Sequence, residues 1–85
     1  MSASIWKYPL APKVGHRMPV GAQILTVQMQ DGSPMMWAQV DPDAPKEDRT
    51  FIAKPTGGYF DPSGMEYIGT FQTDGLVFHV FEQKL

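Results

Sequence analysis

The sequence predicts a mostly β fold, a small antiparallel barrel or sandwich that forms one domain over residues 1–85. Eight prolines and eight glycines punctuate the chain, and no stretch of ten residues between them has the pattern of an uninterrupted amphipathic helix. The segments between these breaks favour β structure, and two pairs of them flank the dipeptides Asp31-Gly32 and Asp74-Gly75. Asp-Gly suits the two-residue turn of a tight hairpin. With 85 residues, a second domain would be too small to bury its own core.

The first hairpin is predicted to join Ala22–Gln30 to Ser33–Val40 through Asp31-Gly32. A two-residue turn fixes the register. One face then pairs Val27 with Met36 and Leu25 with Ala38, and the other pairs Thr26 with Trp37, Gln28 with Met35 and Ile24 with Gln39. Trp37 therefore lies on a mixed surface outside the main core, where large aromatic side chains often anchor a ligand or partner. The alternative is that it fills the core.

The second hairpin is predicted to join Glu66–Thr73 to Leu76–Gln83 through Asp74-Gly75. Its register pairs Phe71 with Phe78 and Gly69 with Val80 on one face, and Thr70 with His79, Ile68 with Phe81 and Gln72 with Val77 on the other. Because the second face is half apolar, we expect it to be covered.

Short strands at the N-terminus and in the centre complete the fold. Bulky residues bounded by prolines predict strands at Ser4–Tyr8 and Val14–Met18, and a third strand is predicted at Arg49–Lys54. Asp41–Asp48 is a polar, proline-broken segment that predicts a loop with one turn of 3₁₀ helix. Pro55–Gly64 is a glycine- and proline-rich loop with two aromatics, and loops of this length are often functional.

Composition excludes several function classes. The formal net charge is −2, and the seven basic side chains form no run, so we expect no binding to duplex nucleic acid. The absence of cysteine excludes a disulfide framework, a thiolate zinc site and a cysteine nucleophile. The chain shows neither a signal-peptide pattern nor an apolar run long enough to cross a bilayer, which predicts a soluble, cytoplasmic protein with no membrane partner.

No catalytic or metal-binding motif is recognisable. Only His16 and His79 could serve as imidazole bases, and His16, near a turn, is expected to be solvated. His79, opposite Thr70, is either part of a Thr–His pair or ligand contact, or a strand histidine bonded to a hydroxyl. Asp41 and Asp43 lack the glycine and glutamate of a calcium loop. We therefore expect no enzyme activity, no metal and no cofactor.

Thr56-Gly57-Gly58-Tyr59 is the most suggestive short run. Consecutive glycines let backbone N–H groups converge on an anion, although an ordinary flexible turn would have the same sequence. An adjacent Tyr59 or Phe60 would stack on a base while Arg49 or Lys54 meets a phosphate. The predicted ligand-binding residues are Trp37, Arg49, Thr56, Gly57, Gly58, Tyr59, Thr70 and His79.

Segments along nearly the whole chain resemble a family of small phage and prophage proteins. They are Ile5-Trp6-Lys7-Tyr8, Met18-Pro19 with Gly21-Ala22, Trp37-Ala38, Val40-Asp41-Pro42, Thr56-Gly57, the run from Glu66 to Gln72, and the run from Leu76 to Glu82. The resemblance implies an accessory protein acting in the cytoplasm of a bacterial host. Such proteins often counter antiviral defence, by sequestering a small nucleotide signal or by occluding a host protein.

These observations together predict a non-enzymatic binding protein that forms a homo-oligomer, because some of its apolar surface has no place inside a monomer. Its partner is expected to be a small nucleotide or a host defence protein. The alternative is a minor structural or assembly protein of the virion.

Overall fold

A computed structural model describes residues 2–84 of the chain. Within this range there are seven β-strands and no helix, and therefore no helix that could span a membrane. The strands are β1 (Ser4–Pro9), β2 (Lys13–Pro19), β3 (Gln23–Gln30), β4 (Ser33–Val40), β5 (Lys46–Pro55), β6 (Met65–Thr73) and β7 (Leu76–Gln83). The prediction of a mostly β fold is confirmed.

The seven strands form two sheets. A three-stranded sheet has the order β1-β4-β3, and a four-stranded sheet has the order β2-β5-β7-β6. Every pair of neighbouring strands is antiparallel. Each predicted hairpin supplies two adjacent strands of one sheet, and the remaining strands extend each sheet on the side of the hairpin's second strand.

Both hairpins turn at the predicted Asp-Gly dipeptides. Asp31 and Gly32 have φ angles of 50° and 79°, and Asp74 and Gly75 have φ angles of 49° and 78°. Two consecutive residues with positive φ characterise the type I′ turn, whose twist matches that of the flanking strands. Aspartate tolerates this region better than most residues, and glycine has no Cβ to oppose it.

The predicted register is confirmed near the turns and is wrong further along each hairpin. A β-bulge leaves Leu25 without a cross-strand partner, so Ile24 rather than Leu25 lies opposite Ala38, and Ile24 does not face Gln39. A second bulge at Ile68 places Tyr67 opposite Phe81. A bulge inserts one extra residue into a strand, which shifts every pair beyond it.

The segment between the two hairpins also differs from its prediction. The loop predicted at Asp41–Asp48 ends early, because β5 begins at Lys46 and pairs with β2 from its first residue. Within this loop the Asp41 carbonyl accepts a hydrogen bond of 3.1 Å from the Ala44 N–H, the bond of a single turn that does not continue into a helix. Pairing with a distant strand thus extends β5 beyond the predicted Arg49–Lys54.

Side chains from both sheets form one buried cluster. Its fully buried members include Met36 of β4, Met18 of β2, Phe51 of β5 and Val80 of β7. Because side chains alternate along a strand, each sheet also has an outer face that points away from this cluster. No helix or further strand among residues 2–84 is available to cover these outer faces.

Candidate functional site

The candidate site lies on the outer face of the four-stranded sheet. In β7, Phe78 and Val80 belong to the core or pack against it, so His79 between them points to the opposite face. Lys54 of β5 lies directly beside His79 in the sheet, and Thr70 of β6 lies on its other side. The Pro55–Gly64 loop, which follows β5, starts at the same point.

A chain of hydrogen bonds crosses this face and connects four side chains. The Tyr67 hydroxyl lies 2.6 Å from Thr70 Oγ1, which is 3.1 Å from His79 Nδ1. On the other side of the imidazole, His79 Nε2 lies 2.7 Å from Thr56 Oγ1. Thr56 Oγ1 in turn donates to the Val77 carbonyl at 3.3 Å. Both ring nitrogens of His79 are therefore occupied by threonine hydroxyls.

The Val77 carbonyl at the end of this hydrogen-bond chain sets the direction of the Thr56 bond, and the other directions follow for one neutral tautomer of His79. Since the Thr56 hydroxyl donates its proton to Val77, it accepts one from His79 Nε2. His79 Nδ1 then accepts from Thr70, and Thr70 accepts from the Tyr67 hydroxyl. In the neutral tautomer that matches this order, the ring proton is on Nε2.

Three aromatic rings pack together beside this hydrogen-bond chain, and one of them is the ring of Tyr67. The Phe81 ring centroid lies 5.1 Å from that of Phe60 and 5.7 Å from that of Tyr67. Both separations lie within the range of favourable aromatic pairs. Tyr67 is 57 % exposed and Phe60 is 37 % exposed, and Tyr59, beside Phe60 in the loop, is fully exposed. A planar ligand can therefore reach these rings.

Lys54 supplies a positive charge at the edge of the rings. Its Nζ lies 5.9 Å from the Phe60 ring centroid, within cation–π distance. The side chain is half-buried, and no carboxylate among residues 2–84 lies within ion-pair distance of it. Its charge is therefore available to an anion.

The glycine run forms a tight turn rather than an anion nest. The Gly58 N–H donates to the Pro55 carbonyl at 3.2 Å, and Gly57 has a φ angle of 88°, the combination typical of a type II turn. The Thr56 N–H donates to the Val77 carbonyl at 3.0 Å. Two of the N–H groups that a nest would use are therefore bonded within the protein.

Arg49 does not reach the outer face, because its side chain points inward. Its guanidinium forms a two-pronged ion pair with Glu82, with Nε–Oε2 and Nη2–Oε1 distances of 2.6 and 2.7 Å, and Nη1 donates to the Ala22 carbonyl at 2.6 Å. The side chains of Arg49 and Glu82 are only 13 % and 4 % exposed. Arg49 and Phe51 are two residues apart in β5, so their side chains point to the same inner face, and this alternation was visible in the sequence.

The ion pair shifts the pKa of both partners. Burial alone would raise the pKa of Glu82, but the hydrogen bonds and charge of Arg49, with the charge of Lys84, outweigh burial and lower it. The hydrogen bonds that Arg49 donates to Glu82 raise the pKa of Arg49 against the opposing effect of burial. The pair therefore stays ionised and serves to hold β5, β7 and the turn before β3 together.

The remaining sequence candidates lie elsewhere. Trp37 is on the outer face of the three-stranded sheet, between Lys7 and Thr26. The expectation that His16 is solvated is wrong: it is half-buried, its Nε2 lies 2.7 Å from the Pro9 carbonyl oxygen, and its ring packs against Tyr8. No cluster within residues 2–84 has the side chains to hold a metal ion.

The structure thus brings together three of the predicted residues, Thr56, Thr70 and His79, and adds Tyr67, which sequence reasoning missed. The ideal hairpin register placed Ile68 opposite Phe81, and the bulge puts Tyr67 there instead. Gly69, next to the bulge, is a signal that could have indicated it, since an isolated glycine inside a strand is typical of a bulge or a close backbone approach.

Comparison with known proteins shows a family. The model of a family described as a domain of unknown function, DUF7352, matches residues 1–85. No curated protein and no solved structure matches significantly.

Proposed function

Because the chain belongs to the DUF7352 family of unknown function, we propose from its geometry that it is a non-enzymatic binding protein. Its ligand combines a flat aromatic ring with a negative charge and lies on the outer face of the four-stranded sheet. The observation that carries this proposal is the Lys54 ammonium, which has no carboxylate partner among residues 2–84 and lies beside exposed aromatic rings.

The rings favour a ligand with a π face. Aromatic side chains on an open sheet surface stack on nucleobases, with a contribution of about 1–3 kcal/mol per base. The Phe81 ring packs against both the Phe60 and the Tyr67 rings, so these aromatic rings are in position before a ligand binds. Tyr59, which is fully exposed in the loop, is free to cover the outer side of a bound ring.

The charge favours an anion attached to that ring. The Lys54 ammonium has no carboxylate partner among residues 2–84, so it can form a charge-assisted hydrogen bond with a phosphate oxygen. One lysine beside the aromatic rings suits a small ligand rather than a long polyanion. A mononucleotide or a cyclic nucleotide has both the ring and the charge.

Binding is favoured over catalysis by the surroundings of His79. Thr70 and His79 are close enough for a nucleophile and base, but the other ring nitrogen meets the neutral Thr56 hydroxyl instead of the carboxylate that orients a catalytic histidine. The site also lies on an open sheet face, where water is not excluded from a reaction. His79 is better suited to fixing Thr56, and with it the loop that carries Tyr59.

Sequestration of a nucleotide signal that serves antiviral defence is the role we propose for this site. It rests on the resemblance to phage and prophage proteins and on ligand chemistry that matches the site. A cytoplasmic location in a bacterial host is part of the same proposal. We also propose that the two sheets are the layers of a β-sandwich, since both contribute to one core.

The test is thermal unfolding with a panel of mononucleotides, cyclic nucleotides and ADP-ribose derivatives. A ligand at 100 times its Kd stabilises the native state by about 2.7 kcal/mol. Lys54→Met should weaken binding at least tenfold. Lys46→Met is the matched control, since Lys46 lies at the other end of β5 and also faces an aromatic ring, that of Trp6, at 5.9 Å. No stabilisation by any nucleotide, or equal losses in both variants, would contradict the proposal.

A protein partner is a second candidate, favoured by the outer face of the three-stranded sheet. Ile5 is 60 % exposed, Leu25 is 46 % exposed, and the half-buried Trp37 lies between their strands. Lys7 is the charged side chain on this face, so two copies of the chain would meet without strong repulsion, as in a homo-oligomer. A monomer by native mass spectrometry at micromolar concentration would leave the face to a host or virion protein, and a dimer lost in Trp37→Ser would identify the self-association.

A further inference from the structure

A cavity lies at the end of the core where both Asp-Gly turns are found. It opens between the sheets and has a volume of about 300 Å³. Its lining comes from the segment between β1 and β2, from the start of β4, and from β5, β6 and β7 of the other sheet. The lining residues are Leu10, Ala11, Pro12, Pro34, Ala53, Phe71 and Phe78. It is separate from the candidate site on the outer face of the four-stranded sheet, because Phe78 points inward and His79 points outward.

The lining has no charged or polar side chain. Pro12 and Pro34 have no N–H to offer, the Leu10 N–H is bonded to the Pro34 carbonyl at 3.0 Å, and the Ala53 N–H is bonded to the Pro12 carbonyl at 3.0 Å. These backbone groups are therefore satisfied within the protein. Water in the cavity would find few hydrogen-bond partners, whereas the transfer of an apolar group from water into the cavity is favourable.

From this lining we propose that the cavity is a binding site for an uncharged aromatic molecule or ligand group of about two fused rings. The volume is at the small end of the range of ligand sites, roughly 300–1,000 Å³. An apolar cavity of about 150 Å³ accommodates benzene, so about twice that volume admits a bicyclic ring. The rings of Phe71 and Phe78, stacked with their centroids 5.3 Å apart, give the ligand aromatic surface to pack against.

Indole is a suitable probe because it is uncharged, bicyclic and soluble. Titration of the full chain, labelled with ¹³C at alanine methyl groups, should shift the signals of Ala11 and Ala53 and raise the melting temperature. Benzoate, which has one ring and a charge, should shift neither signal at the same concentration. Unshifted Ala11 and Ala53 signals at the solubility limit of indole, or binding of benzoate as tight as that of indole, would overturn the proposal.

Filling the cavity provides the second arm of the test. Ala53→Leu should weaken indole binding at least tenfold and leave the melting temperature equal to or above that of the wild type, because the added carbons occupy free space. Ala44→Leu, in the loop before β5, is the matched control and should bind indole normally. If Ala53→Leu does not fold, Ala11→Leu tests the same space from the opposite wall. A folded variant with a filled cavity that binds indole as the wild type does would overturn the proposal.

Lys54→Met should not change the affinity for indole, which separates this site from the proposed function.

Discussion

Gly69 of β6 lies directly against Val27 of β3, where an edge strand of one sheet meets an edge strand of the other. A Cβ atom at position 69 would be 2.8 Å from Val27 Cγ2 and 2.9 Å from Val27 Cβ. Atoms cannot approach so closely, and the branched valine side chain has little freedom to turn away. The absence of a side chain at position 69 therefore sets how closely the two sheets come together.

Gly69→Ala should lower the free energy of unfolding by about 1–3 kcal/mol, the usual effect of overpacking. Urea unfolding followed by tryptophan fluorescence measures it. Gly15→Ala is the control, because the nearest atom to a Cβ there is 4.0 Å away. With Val27→Ala in the background, the additional effect of Gly69→Ala should shrink, since the obstructing methyl groups are gone. Equal unfolding midpoints for Gly69→Ala and Gly15→Ala would show that the contact does not limit packing.

Removal of one partner of the Arg49–Glu82 pair should destabilise the protein strongly. Arg49→Met leaves the Glu82 carboxylate buried without its main partner, and such changes cost about 3–5 kcal/mol. The double variant Arg49→Met/Glu82→Leu should recover most of this loss, since no buried charge remains. Arg17→Met, which removes the exposed pair with Asp48, should change stability by less than about 1 kcal/mol. A double variant no more stable than Arg49→Met would argue against this account.

The same pair predicts how stability depends on pH. The pKa of Glu82 is lower in the folded protein than its ordinary value, so the unfolded chain takes up the proton more readily. The contribution of Glu82 is complete above its unfolded pKa, about 4.3, and is lost as the pH falls through the folded value. The melting temperature of the wild type should therefore fall below about pH 4.5, and more steeply than that of Glu82→Gln, which cannot titrate. Parallel curves for the two proteins would contradict this assignment; Asp48→Asn, at an exposed pair, should follow the wild type.

The hydrogen-bond chain predicts one tautomer of His79. Long-range ¹H–¹⁵N spectra at neutral pH should show the proton on Nε2 and an unprotonated Nδ1, because Nδ1 accepts from Thr70 and Nε2 donates to Thr56. A proton on Nδ1 in the neutral ring would reverse the chain and show that the order derived from the Val77 carbonyl is wrong.

Breaking the two ends of that chain should have separable effects. Tyr67→Phe removes the first donor but keeps the ring, and should lower stability by about 0.5–1.5 kcal/mol without moving the loop. Thr56→Val removes the acceptor of the Nε2 proton and the bond to Val77, so it should also increase the mobility of the Tyr59 backbone, measured by ¹⁵N relaxation. Equal loop mobility in the two variants would show that His79 does not hold the loop.

The hairpins were predictable because their information is local. The Asp-Gly dipeptides dictate a two-residue turn, and the turn dictates the first five cross-strand pairs of each hairpin, including Thr70 with His79 and Phe71 with Phe78. Beyond those pairs the prediction failed at Leu25 and Ile68, because a bulge depends on how the strand must bend to pack against the other sheet.

The candidate site was predictable only in part, for the same reason. The pair Thr70 and His79 follows from the turn, whereas the contact between Thr56 and His79 requires β5 to lie beside β7, which no local rule states. The assignment of a phosphate-binding role was divided between Arg49 and Lys54. Alternation along β5 sends one side chain inward to Glu82 and the other outward to the open face.

The sequence by itself determined the class of structure, since its prolines, glycines and absence of cysteine exclude long helices and disulfides and its two Asp-Gly pairs place the hairpins. The tertiary structure alone decided which faces are buried, which charge remains free and where an apolar cavity opens. Turn geometry arises from the φ preferences of neighbouring residues, whereas burial and charge pairing arise between residues such as Arg49 and Glu82, brought together only when distant strands pair.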